Sequence, residues 1–252
     1  MRGLLVRVGI DKTYGGWNAP CRADGSFCYV PMKPRDPEDS EDGFRTTYDE
    51  FETACGEFMS NTDAVFPNWL HATSPHLDPD FRYLTYGDGG RRAARIRNFF
   101  DGSDDNFIAF YASFRPVDYV QQSLVYAIMG FYRFRNVIPA NQVPVNQRNQ
   151  NAHTRVRAYE AADNTDIVVF GGPGSSGRLT CLLPIGEQRV NHHYYVRKDL
   201  FDAWGGISSR NGWIQRSAYL PHFCEPERFL DWFNAQSPEL IARNNTMEQQ
   251  AR

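Results

Sequence analysis

Two apolar stretches that follow each other closely decide the fold of this chain. Residues 107–114 read F-I-A-F-Y-A-S-F, and residues 124–134 read L-V-Y-A-I-M-G-F-Y-R-F. Both are short and rich in aromatic and β-branched residues, which favours β-strands. The turn D-G-S-D-D-N precedes the first, and the second ends in F-Y-R-F, where rings alternate with a charge as in a half-exposed strand. We therefore predict a pair of strands within a central sheet.

Further elements are predicted on both sides of this pair. Strands are expected at residues 3–10, 27–30 and 165–170, and helices at residues 47–59, 198–204 and 226–235. A length of 252 residues suits one large domain, and no repeat or clear linker divides it. The sequence thus predicts an α+β fold: a single mixed domain over residues 1–240, with a strand-rich central sheet and few helices, and a flexible tail at 241–252.

Several classes of protein are disfavoured by composition. No apolar run approaches the length of about 18 residues that spans a membrane. Residues 1–10 contain Arg2 and Arg7 without a small-residue cleavage site, so we expect a cytoplasmic protein. The five cysteines form no C-x-x-C pair, which predicts free, mostly buried thiols rather than a zinc ribbon or a disulfide framework.

Charge is distributed unevenly although the net charge is only −3. Residues 36–57 are acidic, whereas residues 91–97 and 133–157 carry arginines with almost no acids. Guanidinium groups suit bidentate phosphate contacts and stacking on bases. A solvated surface explains such runs equally well. Both interpretations, a nucleic-acid face and a solvated face, remain open.

Familiar cofactor motifs are absent from the sequence. The run G-G-P-G-S-S-G at 171–177 follows a predicted strand but lacks the spacing of a phosphate-binding loop, so it is either a turn or a weak ligand loop. The six histidines form no zinc-protease or deaminase motif. His71 and His76, near Asp78 and Asp80, could form an iron or zinc site in space, but nothing in the sequence fixes it. We expect neither a metal nor a cofactor.

The stretch L-L-V-R-V-G-I-D at 4–11 holds a charged residue inside an apolar run and a carboxylate at its end. An unpaired buried Arg7 would be costly, so an ion pair with an acidic residue is one interpretation. Asp11 and Asp88, the latter in Y-G-D, are each either turn residues or catalytic carboxylates. In the catalytic interpretation they would activate water or stabilise an oxocarbenium-like sugar, as in glycosidic cleavage.

Other residues are candidates for contacts with DNA. Aromatic residues interleave with arginines near Tyr111 and Arg115, and rings not used in the core could stack on a base. The segment I-Q-R-S at 214–217 offers an amide and a guanidinium that could read base edges or grip phosphate.

The sequence resembles the third nucleotide-modification-associated domain family of phages and prokaryotes. The resemblance extends over roughly residues 4–235. The stretches that carry it are L-L-V-R-V-G-I-D, G-G at 15–16, A-D-G-S-F, L-D-P-D-F-R-Y-L-T-Y-G-D at 77–88, F-I-A-F-Y-A-S-F, Y-A-I-M-G-F-Y-R-F, N-A-H at 151–153 and W-I-Q-R-S. The acidic segment 34–43 and the arginine run 91–97 depart from the family pattern. The resemblance implies a link to hypermodified DNA bases.

Three functions are compatible with these features: a DNA glycosylase that removes a modified base from phage DNA, a transferase that modifies a base, and a non-catalytic reader. We favour the glycosylase, acting on double-stranded DNA with modified bases and without an evident protein partner. A flipped nucleotide would then be attacked by water. The candidate catalytic residues are Asp11, Arg7 and Asp88, and the candidate substrate- or DNA-binding residues are Gly15, Gly16, Tyr86, Tyr111, Arg115, His153, Gln215, Arg216 and Ser217.

Overall fold

A computed structural model describes most of the chain. The described residues are 1–12, 15–33, 47–60, 62, 64–71, 74–118, 123–134, 136–156, 159–190, 192–215 and 220–245. Their strands are β1 (Gly3–Arg7), β2 (Pro20–Cys21), β3 (Thr85–Asp88), β4 (Asn106–Pro116), β5 (Val125–Phe134), β6 (Val137–Pro139), β7 (Ile167–Phe170), β8 (Gly177–Pro184), β9 (Gly186–Gln188), β10 (Tyr194–Val196) and β11 (Leu240–Ile241). Their helices are α1 (Tyr48–Ser60), α2 (Asn68–His71), α3 (Gly90–Phe100), α4 (Lys198–Ala203) and α5 (Pro226–Ala235).

The predicted strand pair forms the centre of the main sheet. Its order is β1-β4-β5-β8-β11, and the short β2 also pairs with β4. Strands β1 and β2 run parallel to β4, whereas β5, β8 and β11 continue the sheet in antiparallel pairs. Almost every residue of β4 and β5 is buried, because both faces of the sheet are covered. The predicted mixed α+β fold with few helices is confirmed.

Alternate residues of the central strands divide the core into two clusters. Ile108, Phe110 and Ala112 of β4 pack in the first cluster, which also contains the buried side of α3. Phe107 and Ala109 pack in the second, together with the buried side of α5. Since successive side chains of a strand point to opposite faces, α3 and α5 cover opposite faces of the central sheet.

A small sheet stands beside the main one and carries several polar residues. Its order is β3-β7-β6, and both pairings are antiparallel. Strand β3 (T-Y-G-D) leads directly into α3. A third, two-stranded sheet joins β9 to β10.

Two predicted strands need correction. Strand β1 ends at Arg7 rather than at residue 10, because Gly9, with φ of +74°, turns the chain away from β4. Residues 27–30 form no strand: the amide group of Asn245 bonds both the backbone N–H and the backbone C=O of Tyr29, at 2.9 and 2.8 Å. A side chain thus takes the place of a neighbouring strand.

The first residues of the predicted tail contact the domain. Leu240 and Ile241 pair with β8, and Asn244 and Asn245 are buried. Asn244 accepts a hydrogen bond from the backbone N–H of Phe81 at 2.8 Å, so residues 241–245 are tied to the domain. Residues 246–252, and the acidic segment 34–43, lie outside the described residues.

Two stretches that the sequence analysis interprets as either functional or structural form a connection between strands and a helix. Residues 171–176 connect β7 to β8, and a strand rather than a helix follows them, so they lack the helix N-terminus of a phosphate site. The arginine run 91–97 lies in α3, a helix that the sequence analysis did not predict. None of the described helices is long and apolar enough to cross a membrane.

Candidate functional site

Two distant segments bring three potential ligand groups together beside the small sheet. His76 and Asp78 precede β3, and His153 lies in the turn before β7. One side-chain atom of each residue lies within 4.8 Å of the corresponding atoms of the other two. The two imidazole rings meet edge to face, with centroids 5.0 Å apart. We call these three residues the His-Asp-His group.

Asp78 is fixed by hydrogen bonds on one side of its carboxylate. Its side chain is only 3% exposed. Oδ1 accepts the backbone N–H of Gly87 at 2.7 Å and the amide of Asn151 at 3.2 Å. Oδ2 faces the histidines, 3.9 Å from Nε2 of His76 and 3.6 Å from Nε2 of His153. One carboxylate oxygen is therefore structural, while the other is directed at the imidazoles.

His153 is oriented from behind by a second carboxylate. Its Nδ1 lies 2.7 Å from Oδ2 of Asp166, and its backbone N–H donates to Oδ1 of Asn151 at 2.9 Å. With Nδ1 engaged, Nε2 points towards Asp78. Asp166, His153 and Asp78 thus form a carboxylate–imidazole–carboxylate chain that ends beside His76.

Gly87 in β3 and Gly89, just after this strand, make room for this arrangement. A Cβ atom at Gly87 would lie 2.3 Å from the His153 ring and 2.6 Å from Oδ1 of Asn151. A Cβ atom at Gly89 would lie 2.8 Å from Asp166. Both the orienting carboxylate and the imidazole therefore pack directly on glycine backbone.

Burial and neighbouring charges shift the pKa values of the three side chains in different directions. Burial raises the pKa of Asp78 to about 7, against the opposing charge of His153. Burial, with the charge of His153, lowers the pKa of His76 to about 3. Burial alone would lower the pKa of His153, but the bond to Asp166 and the charge of Asp78 raise it above its ordinary value. Groups with such perturbed pKa values are concentrated at functional sites.

Asp88 lies at the end of β3 and is held by its neighbours. Nε of Arg92 donates to both of its oxygens, at 3.1 and 2.8 Å, and the hydroxyl of Tyr86 donates to Oδ2 at 2.6 Å. The charge of Asp88 raises the pKa of both Asp78 and His153. This predicted catalytic residue is thus electrostatically coupled to the His-Asp-His group.

Arg7 and Asp11 form a buried ion pair. Their charged atoms lie 2.5 Å apart, and their side chains are 4% and 1% exposed. The guanidinium of Arg7 also donates to the backbone oxygen of Gln215 and lies over the ring of Tyr126. The acidic partner of Arg7 is therefore Asp11, and pairing accounts for the burial of both charges. A catalytic role for Asp11 stays a prediction.

Three further predicted residues, Gly15, Gly16 and Gln215, lie next to that pair. Gly15 and Gly16 have φ values of +119° and +77°, which favour glycine, and Gly16 N–H donates to the Asp11 carbonyl at 3.0 Å. The side-chain oxygen of Gln215 lies 2.9 Å from Nδ1 of His193. Contacts of these residues with DNA stay predictions.

The predicted stacking rings are covered. Tyr86 is 3% exposed and packs against Phe110, and Tyr111 is fully buried with its hydroxyl donating to the Ile214 carbonyl at 2.6 Å. Neither ring presents an exposed face in this structure, and a role in stacking on a base stays a prediction. Arg115 has an exposed side chain on β4. Arg216 and Ser217 lie outside the described residues.

The charges of Arg7 and Arg92 both act on the buried Tyr111. Burial raises the pKa of Tyr111, and the charges of Arg7 and Arg92 both oppose that rise. Arg7 belongs to the buried ion pair, while Arg92 holds Asp88. The His-Asp-His group is more accessible than the ion pair, since His76 is 28% and His153 14% exposed.

The sequence suggests a possible metal site of His71, His76, Asp78 and Asp80. In the structure these four residues do not all lie together. His71 lies 2.5 Å from Asp49 and 3.5 Å from Glu52, on a different surface patch. Asp80 is buried against Arg155, at 2.7 Å. Of the four residues, His76 and Asp78 meet, and their further partner is His153.

These observations define the class: an α+β protein with a polar His-Asp-His group, oriented by a further carboxylate, beside a small antiparallel sheet. A family model described as nucleotide modification associated domain 3 matches residues 2–218. The chain therefore belongs to that family and has a nucleotide-modification-associated role. Comparisons with curated proteins and with solved structures find no significant match.

Proposed function

We propose that this protein is a cytoplasmic DNA glycosylase that hydrolyses the N-glycosidic bond of a hypermodified base in phage DNA and leaves an abasic site. The observation that carries the proposal is the chain from Asp166 through His153 to Asp78, which ends at the partly exposed His76. An imidazole oriented by one carboxylate and facing another is suited to proton transfer. Family membership supports nucleotides as the substrate class.

In the proposed reaction, the His-Asp-His group holds and deprotonates the attacking water. The water oxygen bonds to C1′ of the sugar, while the C1′–N bond breaks and its electron pair passes to the base. One proton of the water goes to the His-Asp-His group, the other stays on the new C1′ hydroxyl, and the departing base takes up a proton from solvent. The carboxylate of Asp88, close enough to act on both Asp78 and His153, stabilises the positive charge that develops on the sugar.

The basic helix α3 supports duplex DNA as the partner. It begins at Gly90, two residues after Asp88, and the exposed Arg91 and Arg95 are four residues apart on one face. Guanidinium groups next to the reaction centre would position the phosphate backbone.

The decisive experiment uses DNA with glucosylated hydroxymethylcytosine and matched unmodified DNA. Purified protein is incubated with each, and abasic sites are measured by alkaline cleavage. We expect strand breaks in the modified DNA alone, without an added donor molecule. Binding of modified DNA without abasic sites would contradict hydrolysis and favour a reader, while a requirement for a nucleotide-sugar donor would favour a transferase.

A variant of α3 tests the DNA contact separately. We expect Arg91→Ala combined with Arg95→Ala to weaken DNA binding and to reduce the slope of log K against log salt by about 2, because each lost phosphate contact removes roughly 0.9 from that slope. Fluorescence anisotropy at several salt concentrations measures both quantities. The matched control is Arg228→Ala on α5, the helix that covers the opposite face of the sheet. Equal losses in the two variants would contradict the assignment of α3.

A further inference from the structure

We propose that His76, Asp78 and His153 bind a divalent first-row transition-metal ion. Two imidazoles and one carboxylate are donors that suit zinc, iron, cobalt or nickel. Their ligand atoms converge within 4.8 Å, although they come from segments more than 70 positions apart in the sequence. The convergence is a property of the fold that no spacing motif in the sequence predicts.

The distances within the group agree with metal coordination better than with direct hydrogen bonding. Oδ2 of Asp78 lies 3.6 and 3.9 Å from the two Nε2 atoms, beyond the usual range for a hydrogen bond. Two ligand atoms that are each about 2.1 Å from one ion, at a tetrahedral angle, stand about 3.4 Å apart. Small side-chain adjustments would therefore bring all three atoms into coordination.

The surrounding residues orient the ligands as they do in metal sites. A metal-binding histidine usually donates its second N–H to a carboxylate, and Nδ1 of His153 lies 2.7 Å from Asp166. Gly87 and Asn151 engage Oδ1 of Asp78 and leave Oδ2 directed at the histidines. The ligands are thus preorganised by groups that do not themselves coordinate the ion.

A second set of possible ligands, Asp49, Glu52 and His71, lacks this support. The two acidic side chains are 65% and 44% exposed. Exposed side chains lose conformational entropy when they converge on an ion. This patch therefore provides a control in the same chain rather than a second proposal.

Three protein ligands leave coordination positions open to water or substrate. With an ion bound, the three ligand atoms no longer accept the proton of the water directly; the ion instead lowers the pKa of coordinated water and so promotes nucleophilic attack at neutral pH. That consequence rests on the proposed hydrolysis, whereas metal binding itself does not.

The experiment measures metal binding without DNA. Tag-free protein is treated with a chelator, dialysed and titrated with Co²⁺, followed by visible absorption, and with Zn²⁺, followed by calorimetry. We expect one ion per chain, loss of binding in His76→Ala and in His153→Ala, and unchanged binding in the control His71→Ala. Asp166→Asn keeps all three ligands and should weaken binding by about 10- to 100-fold.

Circular dichroism establishes which variants are folded before they are compared. If His153→Ala fails to fold, the test rests on Asp166→Asn. An unchanged metal affinity in that folded variant would overturn the proposal. Absence of saturable binding by the folded wild-type chain would overturn it too, as would loss of binding in His71→Ala alone. Because no DNA is present, a failure here is distinguishable from failure of the proposed glycosylase, which the abasic-site assay detects.

Discussion

Asp11→Asn is expected to lower the free energy of unfolding by about 3–5 kcal/mol, because it leaves the guanidinium of Arg7 buried without its counter-charge. For a chain of this length such a loss lowers the melting temperature by roughly 10 °C. Chemical denaturation and thermal unfolding measure the two quantities. The folded fraction of the variant should retain its activity in the abasic-site assay, since the proposed reaction centre is the His-Asp-His group.

A double variant separates the cost of an unpaired charge from the loss of other contacts. Arg7→Met combined with Asp11→Leu removes both charges and keeps apolar volume, so it should recover most of the stability that Asp11→Asn loses. The hydrogen bond from Arg7 to the Gln215 carbonyl and the contact of its guanidinium with the Tyr126 ring are then also lost. An Asp11→Asn protein with wild-type stability but no activity would reverse this assignment and favour Asp11 as the catalytic carboxylate.

The central strands could be predicted from the sequence because their pattern requires no partner information. Strands β4 and β5 are apolar on both faces, and the structure covers both faces. Helix α3 is not predicted from the sequence, because arginines dominate residues 91–97. The signal that could have revealed it is the spacing of Ala93, Ile96 and Phe100, the three residues that it buries.

The His-Asp-His group could be predicted only in part. His76 and Asp78 lie close in the sequence, but His153 joins them through the pairing of β3 with β7 and the bond from Asn151 to Asp78. Such long-range convergence leaves no local periodicity. The family resemblance rests partly on the stretches 77–88 and 151–153, which contain Asp78, Asn151 and His153. That resemblance is the sequence feature that could indicate these residues as part of a site.

The structural roles of two asparagines near the end of the described chain cannot be predicted from the sequence pattern either. Asn244 and Asn245 have the polarity of a tail, yet their side chains bond the backbone of Phe81 and Tyr29. A polar residue that satisfies a distant backbone group cannot be distinguished in sequence from one that faces water.

Asp78→Asn is expected to reduce activity and to leave stability nearly unchanged, whereas Asp11→Asn is expected to do the reverse. The asparagine oxygen can still accept the bonds from Gly87 and Asn151, so the fold should be retained. Its amide nitrogen would replace the oxygen that faces the histidines, which removes the negative charge from the proposed reaction centre. We therefore expect the rate of base release to fall about 10²- to 10⁴-fold, the range that a positioned acid or base contributes.

Single-turnover kinetics on modified DNA measure this loss, and unfolding curves measured in parallel establish that the variant is folded. DNA affinity should change little, because the proposed phosphate contacts lie on α3. His71→Ala, in the exposed acidic patch, is the matched control and should keep the wild-type rate. If Asp78→Asn keeps full activity while Asp11→Asn loses it without loss of stability, the reaction centre belongs at the buried ion pair. The two variants thus assign chemistry and stability to the two groups independently, because each predicts a change in one measurement and constancy in the other.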